Sequence, residues 1–333
     1  MTGRSSLAVK LGRLFQKMPI GWVRPLEALW LSKQTQGGDR SQMVFLLALP
    51  RSGSTLTYQC LIHCFQPGYL SNLGNAIYQF PLWSAHLMRL SGKEYNSDFQ
   101  SAHGFVSGLL GPAEGLKFWS YWLCAELDEQ APLSRSSKNL SYLQRVFSEI
   151  TTPERPYLTG YLGHLFCWEC LKDLFPEAVF IRLYRDPLSN AHSIYRSRLG
   201  GRETDWFSLR PSECEDLGQK PLSFQVAAQV YWLNRKLDAL NGDRVIPLRY
   251  EDLCRNPTGE IERVRNACNS LGLELTARKP LPASFPCKVS DPQVDDDAAR
   301  IQAALRALEQ AHGKLDQPKT ELNRKNKDKG VMS

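Results

Sequence analysis

The residues that first suggest chemistry are Pro50-Arg51-Ser52-Gly53-Ser54-Thr55, which follow the apolar run Met43 to Leu49 and precede a helix-spaced stretch ending at Phe65. A strand that ends in a tight Gly/Ser turn and enters a helix builds an anion site. The turn amides point inward and the helix N-terminus adds partial positive charge. Gly53 lets the backbone approach a ligand, while the Ser54 and Thr55 hydroxyls can donate to it or cap the helix. The nucleoside-triphosphate loop GxxxxGK[ST] offers a comparison. Gly53 stands at its second glycine and Thr55 at its hydroxyl, but Ser54 replaces the lysine, Ala48 replaces the first glycine, and the cation has moved to Arg51. Such a site keeps a phosphate cradle without the lysine that reaches a γ-phosphate, which disfavours an ATPase or GTPase.

A second unit follows the same plan. Val179 to Tyr184 reads as a buried strand, Arg185 stands at its tip, and Asp186-Pro187 reads as a cap and helix start for a helix to about Arg198. Ser193 comes eight residues after Arg185, two turns into that helix. A strand-tip cation and a helix hydroxyl so placed can converge on one anion. The alternative is an ordinary strand–helix junction in which Arg185 pairs with Asp186.

The elements that must position these groups repeat. Val245 to Tyr250 is a third strand, followed by a helix from about Pro257 to Leu271, and Tyr157 to Tyr161 reads as a further short strand. Strand–turn–helix units in series predict an α/β fold with a central parallel sheet. Helical insertions are expected over 115–127 and 141–150, with a long helix over 221–240 and another over 297–312. Residues 1–40 read as a basic amphipathic helix (6–18) and a linker, 41–296 as the main domain, and 297–333 as a helix followed by a disordered lysine-rich tail.

Bulk properties narrow the function. The 333 residues include 42% hydrophobic and 23% charged, with a formal net charge of +7 and pI about 8.9. That excess suits a polyanionic ligand, and no nucleic-acid-binding pattern accompanies it. No apolar run approaches the roughly 20 residues needed to span a bilayer, and Lys10, Arg13 and Lys17 interrupt what a secretory signal would need, so a cytoplasmic location is expected. Helix 6–18 reads either as a terminal helix packed on the core or as a peripheral membrane contact. Nine cysteines, an odd number, point to reduced thiols. Cys167 and Cys170, like Cys60 and Cys64, read as core residues rather than metal ligands.

Taken together, the two units resemble the sulfotransferase family that uses 3′-phosphoadenosine 5′-phosphosulfate. Arg51 to Thr55 match its [KR]SG[TS]T loop, which grips the 5′-phosphosulfate. Arg185 and Ser193 match its Arg–Ser pair, which holds the 3′-phosphate. Arg249 to Pro257 is similar to a YEDL…P element whose Tyr250 would lie near the nucleotide. These elements span about two-thirds of the chain, in the family's order and spacing. The resemblance implies a P-loop-like three-layer fold and a metal-free, in-line transfer of a sulfuryl group to a hydroxyl on a carbohydrate, glycolipid or small metabolite. The implied site comprises Arg51, Ser52, Gly53, Ser54, Thr55, Arg185, Ser193 and Tyr250, with Arg51 stabilising charge on the leaving oxygen.

A general base is also needed. His164 stands 21 residues before Arg185, close to the offset of the histidine in cytosolic members, although the residues around it differ. Glu114, in GPAEGLKFW, is the other candidate, because a carboxylate beside aromatic residues has its pKa raised. The family's C-terminal 3′-phosphate segment has no clear counterpart. Lys288 and Ser290 are the substitutes the sequence offers. Two other readings remain at this point: a P-loop small-molecule kinase, and a non-catalytic nucleotide-binding protein at a membrane surface.

Overall fold

The structure, a computed structural model, describes residues 41–315 except 93, 102–105, 124–126, 130–136, 201–205 and 207. Helix 6–18, its linker and most of the lysine-rich tail lie outside the described residues. Five strands form one sheet in the order β2-β3-β1-β4-β5, every neighbouring pair parallel. They are β1 (Met43–Leu47), β2 (Gly68–Tyr69), β3 (Tyr157–Thr159), β4 (Val179–Tyr184) and β5 (Val245–Arg249). All carboxyl ends therefore lie along one edge, where open α/β sheets bind their ligands.

A parallel sheet covered on both faces needs strands that are apolar throughout. β1 meets this condition, since its five residues are at most 3% exposed. On one face, Phe45 stacks on Phe180 of the neighbouring strand, with ring centroids 5.3 Å apart. Trp119 from α4 (Leu116–Leu123), Phe147 from α5 (Ser137–Ile150) and Phe175, which follows α6 (Trp168–Leu174), complete that aromatic layer. On the other face lies α1 (Ser54–Phe65), whose Tyr58 ring approaches Gly160 so closely that a methyl there would sit 3.2 Å from it. Helices thus cover both faces, giving the three-layer P-loop-like arrangement expected from the sequence.

The remaining helices are α2 (Asn72–Ala76), α3 (Pro81–Leu90), α7 (Pro187–Leu199), α8 (Leu222–Asp238), α9 (Tyr250–Arg255), α10 (Pro257–Ser270) and α11 (Asp296–His312). α7, α8 and α11 pack against one another. Arg182, a charge in the middle of β4, is explained by α8: its Nη1 donates to the Leu237, Asp238 and Leu240 carbonyls at 3.3, 3.3 and 2.7 Å. A cation there satisfies the orphan acceptors of a helix C-terminus. Among the described residues no helix is long and apolar enough to cross a membrane, and no group of His, Cys, Asp and Glu could hold a metal ion.

Candidate active site

The loop after β1 is held in an uncommon conformation. Arg51 has φ 59° and Gly53 φ 90°. A non-glycine residue in the left-handed region costs of order 1–3 kcal/mol and persists only where its surroundings impose it. Here the surroundings are visible. Ser52 Oγ donates to the Leu49 carbonyl at 2.7 Å, Asn190 Nδ2 to the Pro50 carbonyl at 2.7 Å, and Arg185 Nη1 to the Arg51 carbonyl at 2.5 Å. At Gly53 a side chain is excluded twice over, by its positive φ and because a Cβ would fall 2.1 Å from Tyr250 Cδ2. The first helical bond of α1 runs from Thr57 N–H to the Gly53 carbonyl at 3.0 Å. The amides before it lack a helical acceptor and are the donors a bound oxyanion would use.

The second unit meets this loop. β4 pairs in register with β1, Leu47 opposite Arg182, which brings the two strand tips side by side. Asp186 caps α7 by accepting from Ser189 N–H at 2.7 Å, so it serves the helix and forms no ion pair with Arg185. Ser193 Oγ accepts from Arg51 Nε at 3.3 Å. The Arg185 guanidinium lies 5.0 Å from the centre of the Tyr250 ring, and its Nη2 donates to the Lys288 carbonyl at 3.1 Å. Two arginines from separate strand tips therefore adjoin one another, and among the described residues neither has a carboxylate partner. Partial burial and the Arg185 cation both pull Arg51 below its ordinary range. Such a pair gains most from an anion placed between them.

Glu114 sits beyond the carboxyl end of β2. Ala113 N–H donates to the Leu70 carbonyl at 2.8 Å, and Pro112 bridges to Ser71. Gly115, at φ 91°, then turns the chain into α4. Burial pushes the Glu114 carboxyl up to about 7. Its charge is felt by Tyr58, one turn along α1 from Ser54, which ties this segment to the phosphate-loop helix.

His164 is elsewhere. The segment Leu162–Phe166 is a 3-10 turn beneath the sheet, and the imidazole has no exposed surface. It is boxed by Trp119, Phe45 and Tyr161 at centroid distances of 4.5, 5.2 and 5.3 Å. Neither ring nitrogen has a hydrogen-bond partner, and burial lowers the pKa to about 3. Of the two candidate bases, His164 is thus a core residue. A sealed imidazole with no access to solvent cannot collect a proton from a substrate, and its low pKa makes it a poor base. The chain offset suggested otherwise because spacing does not report depth.

Sequence reasoning gave no place to His192, which is 3% exposed and hydrogen-bonded to Ser290. It also missed Asn190, which holds the loop. Their position on the inward side of α7, four and six residues after the cap Asp186, was the only available signal.

A family described as the Sulfotransferase family matches residues 43–277. The chain belongs to that family, and sulfuryl transfer is the chemistry this membership supports. No curated protein matches the sequence. Among solved structures, the chain is similar to sulfotransferase STF9 from Mycobacterium avium at 14% identity and a TM-score of 0.46, covering 86% of this chain and 73% of the other. For sulfotransferase STF1 from Mycobacterium tuberculosis H37Rv the identity is 14% and the TM-score 0.44, over 80% of this chain and 71% of the other. For the sulfotransferase domain of the Synechococcus PCC 7002 olefin synthase they are 19% and 0.40, over 86% and 98%.

Proposed function

We propose that the chain transfers a sulfuryl group from 3′-phosphoadenosine 5′-phosphosulfate to a hydroxyl acceptor, a carbohydrate, glycolipid or small metabolite, without a metal. One observation carries the reading: Arg51 and Arg185, from two strand tips, meet at the carboxyl edge of the sheet with no carboxylate partner among the described residues, and the Ser193 hydroxyl bonds the first of them. A donor with phosphate groups at both its 3′ and 5′ positions matches a site with two cations. The Gly53–Thr55 amides and Arg51 suit the phosphosulfate end, and Arg185 with Ser193 suits the 3′-phosphate. Tyr250, packed between Gly53 and Arg185, offers a ring face beside them.

In the transfer, an acceptor oxygen forms a bond to sulfur as the bond from sulfur to the bridging phosphate oxygen breaks. The acceptor proton passes to Glu114, and adenosine 3′,5′-bisphosphate leaves. Charge grows on the departing oxygen, and Arg51, always protonated, stabilises it electrostatically rather than as an acid. A carboxyl held near 7 is well matched to abstracting a proton at neutral pH.

Thermal shifts with adenosine 3′,5′-bisphosphate, 5′-AMP and ATP–magnesium test the donor. A ligand that binds only the folded chain raises its stability by RT ln(1 + [L]/Kd). A large shift with the bisphosphate and small ones with the other two are expected. Equal shifts with bisphosphate and AMP would remove the 3′-phosphate assignment, and a dominant ATP–magnesium response would favour a kinase. Incubation with radiolabelled donor and a panel of alcohols then tests the acceptor class.

A further inference from the structure

The segment after α10 folds back over the second arginine, and its hold there depends on a residue that takes no part in the site described above. Four contacts fix residues 285–290. Phe285 N–H donates to the Cys254 carbonyl at 2.8 Å, the Lys288 carbonyl accepts from Arg185 Nη2 at 3.1 Å, Ser290 N–H donates to Ser189 Oγ at 3.0 Å, and Ser290 Oγ lies 2.8 Å from His192 Nδ1. His192 is buried and precedes Ser193 on α7. Its tautomer follows from its other partner. Arg196 Nε donates to His192 Nε2 at 3.1 Å, so Nε2 is unprotonated and Nδ1 carries the hydrogen. Nδ1–H therefore donates to Ser290 Oγ, and the Ser290 proton is left for another acceptor. Asp295, which caps α11, holds Arg196 at 3.0 Å and lies 3.5 Å from His192 Nε2, completing the far side of the support.

We propose that His192 is a positioning residue: by donating from Nδ1 to Ser290 it locks the 288–290 strap against Arg185, and so sets the site's preference for a nucleotide carrying a 3′-phosphate. The mechanism is preorganisation. With the strap fixed, the Lys288 carbonyl orients the Arg185 guanidinium, and the Ser290 hydroxyl keeps a proton that an oxyanion can accept. Without the Nδ1 donor, the strap loses one of its two bonds at Ser290, and ordering it falls to the ligand. This inference rests on the reading of Arg185 and Ser193 as the 3′-phosphate contacts.

The test compares affinities for adenosine 3′,5′-bisphosphate and 5′-AMP by calorimetry in wild type, His192→Ala, His192→Asn, Ser290→Ala and the His192→Ala/Ser290→Ala pair. Asn places an amide N–H near the position of Nδ1–H. His192→Ala is expected to weaken bisphosphate binding about tenfold, the worth of one well-placed hydrogen bond, and to leave AMP binding unchanged. His192→Asn should recover most of that loss. Ser290→Ala should lose at least as much as His192→Ala, and the double variant should be no worse than Ser290→Ala alone. If His192→Ala weakens both nucleotides alike, or the two losses add, the positioning role is wrong. If His192→Ala fails to fold, Ser290→Ala, a substitution in a half-exposed loop, carries the same comparison, and an unchanged preference there overturns the inference. Wild-type protein that binds bisphosphate no better than AMP overturns the 3′-phosphate reading itself, and the inference with it.

Discussion

The carboxyl edge of the sheet has two unlike halves. At β1, β4 and β5 each contributing group stands at a strand tip or in the first turns of the helix that follows: Arg51 to Thr55, Arg185, Ser193 and Tyr250. At β2 and β3 the strands are only two and three residues long, and the group that matters, Glu114, arrives from an insertion far from either in sequence. The first half is rigid and cationic, held by bonds from Asn190 and Arg185 to the loop carbonyls. The second is built from packed aromatic and aliphatic side chains, and its carboxyl is perturbed by burial alone. Under the proposed function, donor binding would rest on local backbone geometry and proton transfer on tertiary desolvation.

That division can be broken by substitution. Glu114→Gln is expected to lower kcat by about 10²–10⁴, the usual worth of a general base, with bisphosphate affinity unchanged. The wild-type pH–rate profile should rise through about 7 and the variant's should be flat. A profile that keeps its inflection in Glu114→Gln would assign the base elsewhere. The same substitution should raise stability above neutral pH. The folded carboxyl titrates higher than the unfolded one, so stability is lost as pH rises through that window, and Gln has no proton to lose.

Arg51→Ala follows, with a kcat loss of about 10²–10³ from removing one preorganised donor. Arg51→Lys should retain part of the activity, since the charge survives but the guanidinium fork does not. A loss in KM alone would show that Arg51 binds ground and transition states equally. Arg185→Ala should weaken bisphosphate binding about 10–100-fold, from one or two charge-assisted hydrogen bonds, and weaken 5′-AMP binding far less in calorimetry, through the lost bond to the Arg51 carbonyl alone. An equal loss for both nucleotides would move Arg185 away from the 3′-phosphate.

The smallest effect on activity is expected at His164. His164→Phe should keep turnover within about twofold, since the ring lies in the core. Its signature is in stability. The imidazole titrates at about 3 when folded against an ordinary 6.5, so the unfolded chain binds the extra proton between these values. Stability should fall by about 1.4 kcal/mol per unit as pH drops below 6.5. Denaturant melts across that range should show this slope reduced in the Phe variant, which also removes two unpartnered ring nitrogens. A large kcat loss with unchanged stability would return His164 to the site.

The limits of the sequence reading fall along the same line. β4 was delimited to the residue, and α1, α7, α8 and α11 within one or two residues of their ends, because continuous apolar runs and cap-forming residues are local signals. β2 was invisible: Gly68 and Tyr69 have no strand character of their own and become one by pairing with β3, Gly68 N–H donating to the Pro156 carbonyl at 2.9 Å. The helix expected over 115–127 is described only as Leu116–Leu123. Cys60, Cys64 and Cys167 are buried, as expected of core residues, whereas Cys170 is only half-buried.

By itself, the order of residues determined where strands give way to helices, and hence that a glycine turn and two arginines would stand at strand tips along one edge of a parallel sheet, while the pairing of β1 with β4 that makes those tips neighbours came from the tertiary structure. Such junctions are written in consecutive residues, and parallel pairing brings equivalent ends together. Only the tertiary structure decided which titratable groups lie in water and which in the core. It put His164 under three aromatic rings, lifted Glu114 toward neutrality, and folded Ser290 onto a buried His192. Desolvation is set by what distant segments pack around a side chain, and no short window of sequence contains those neighbours.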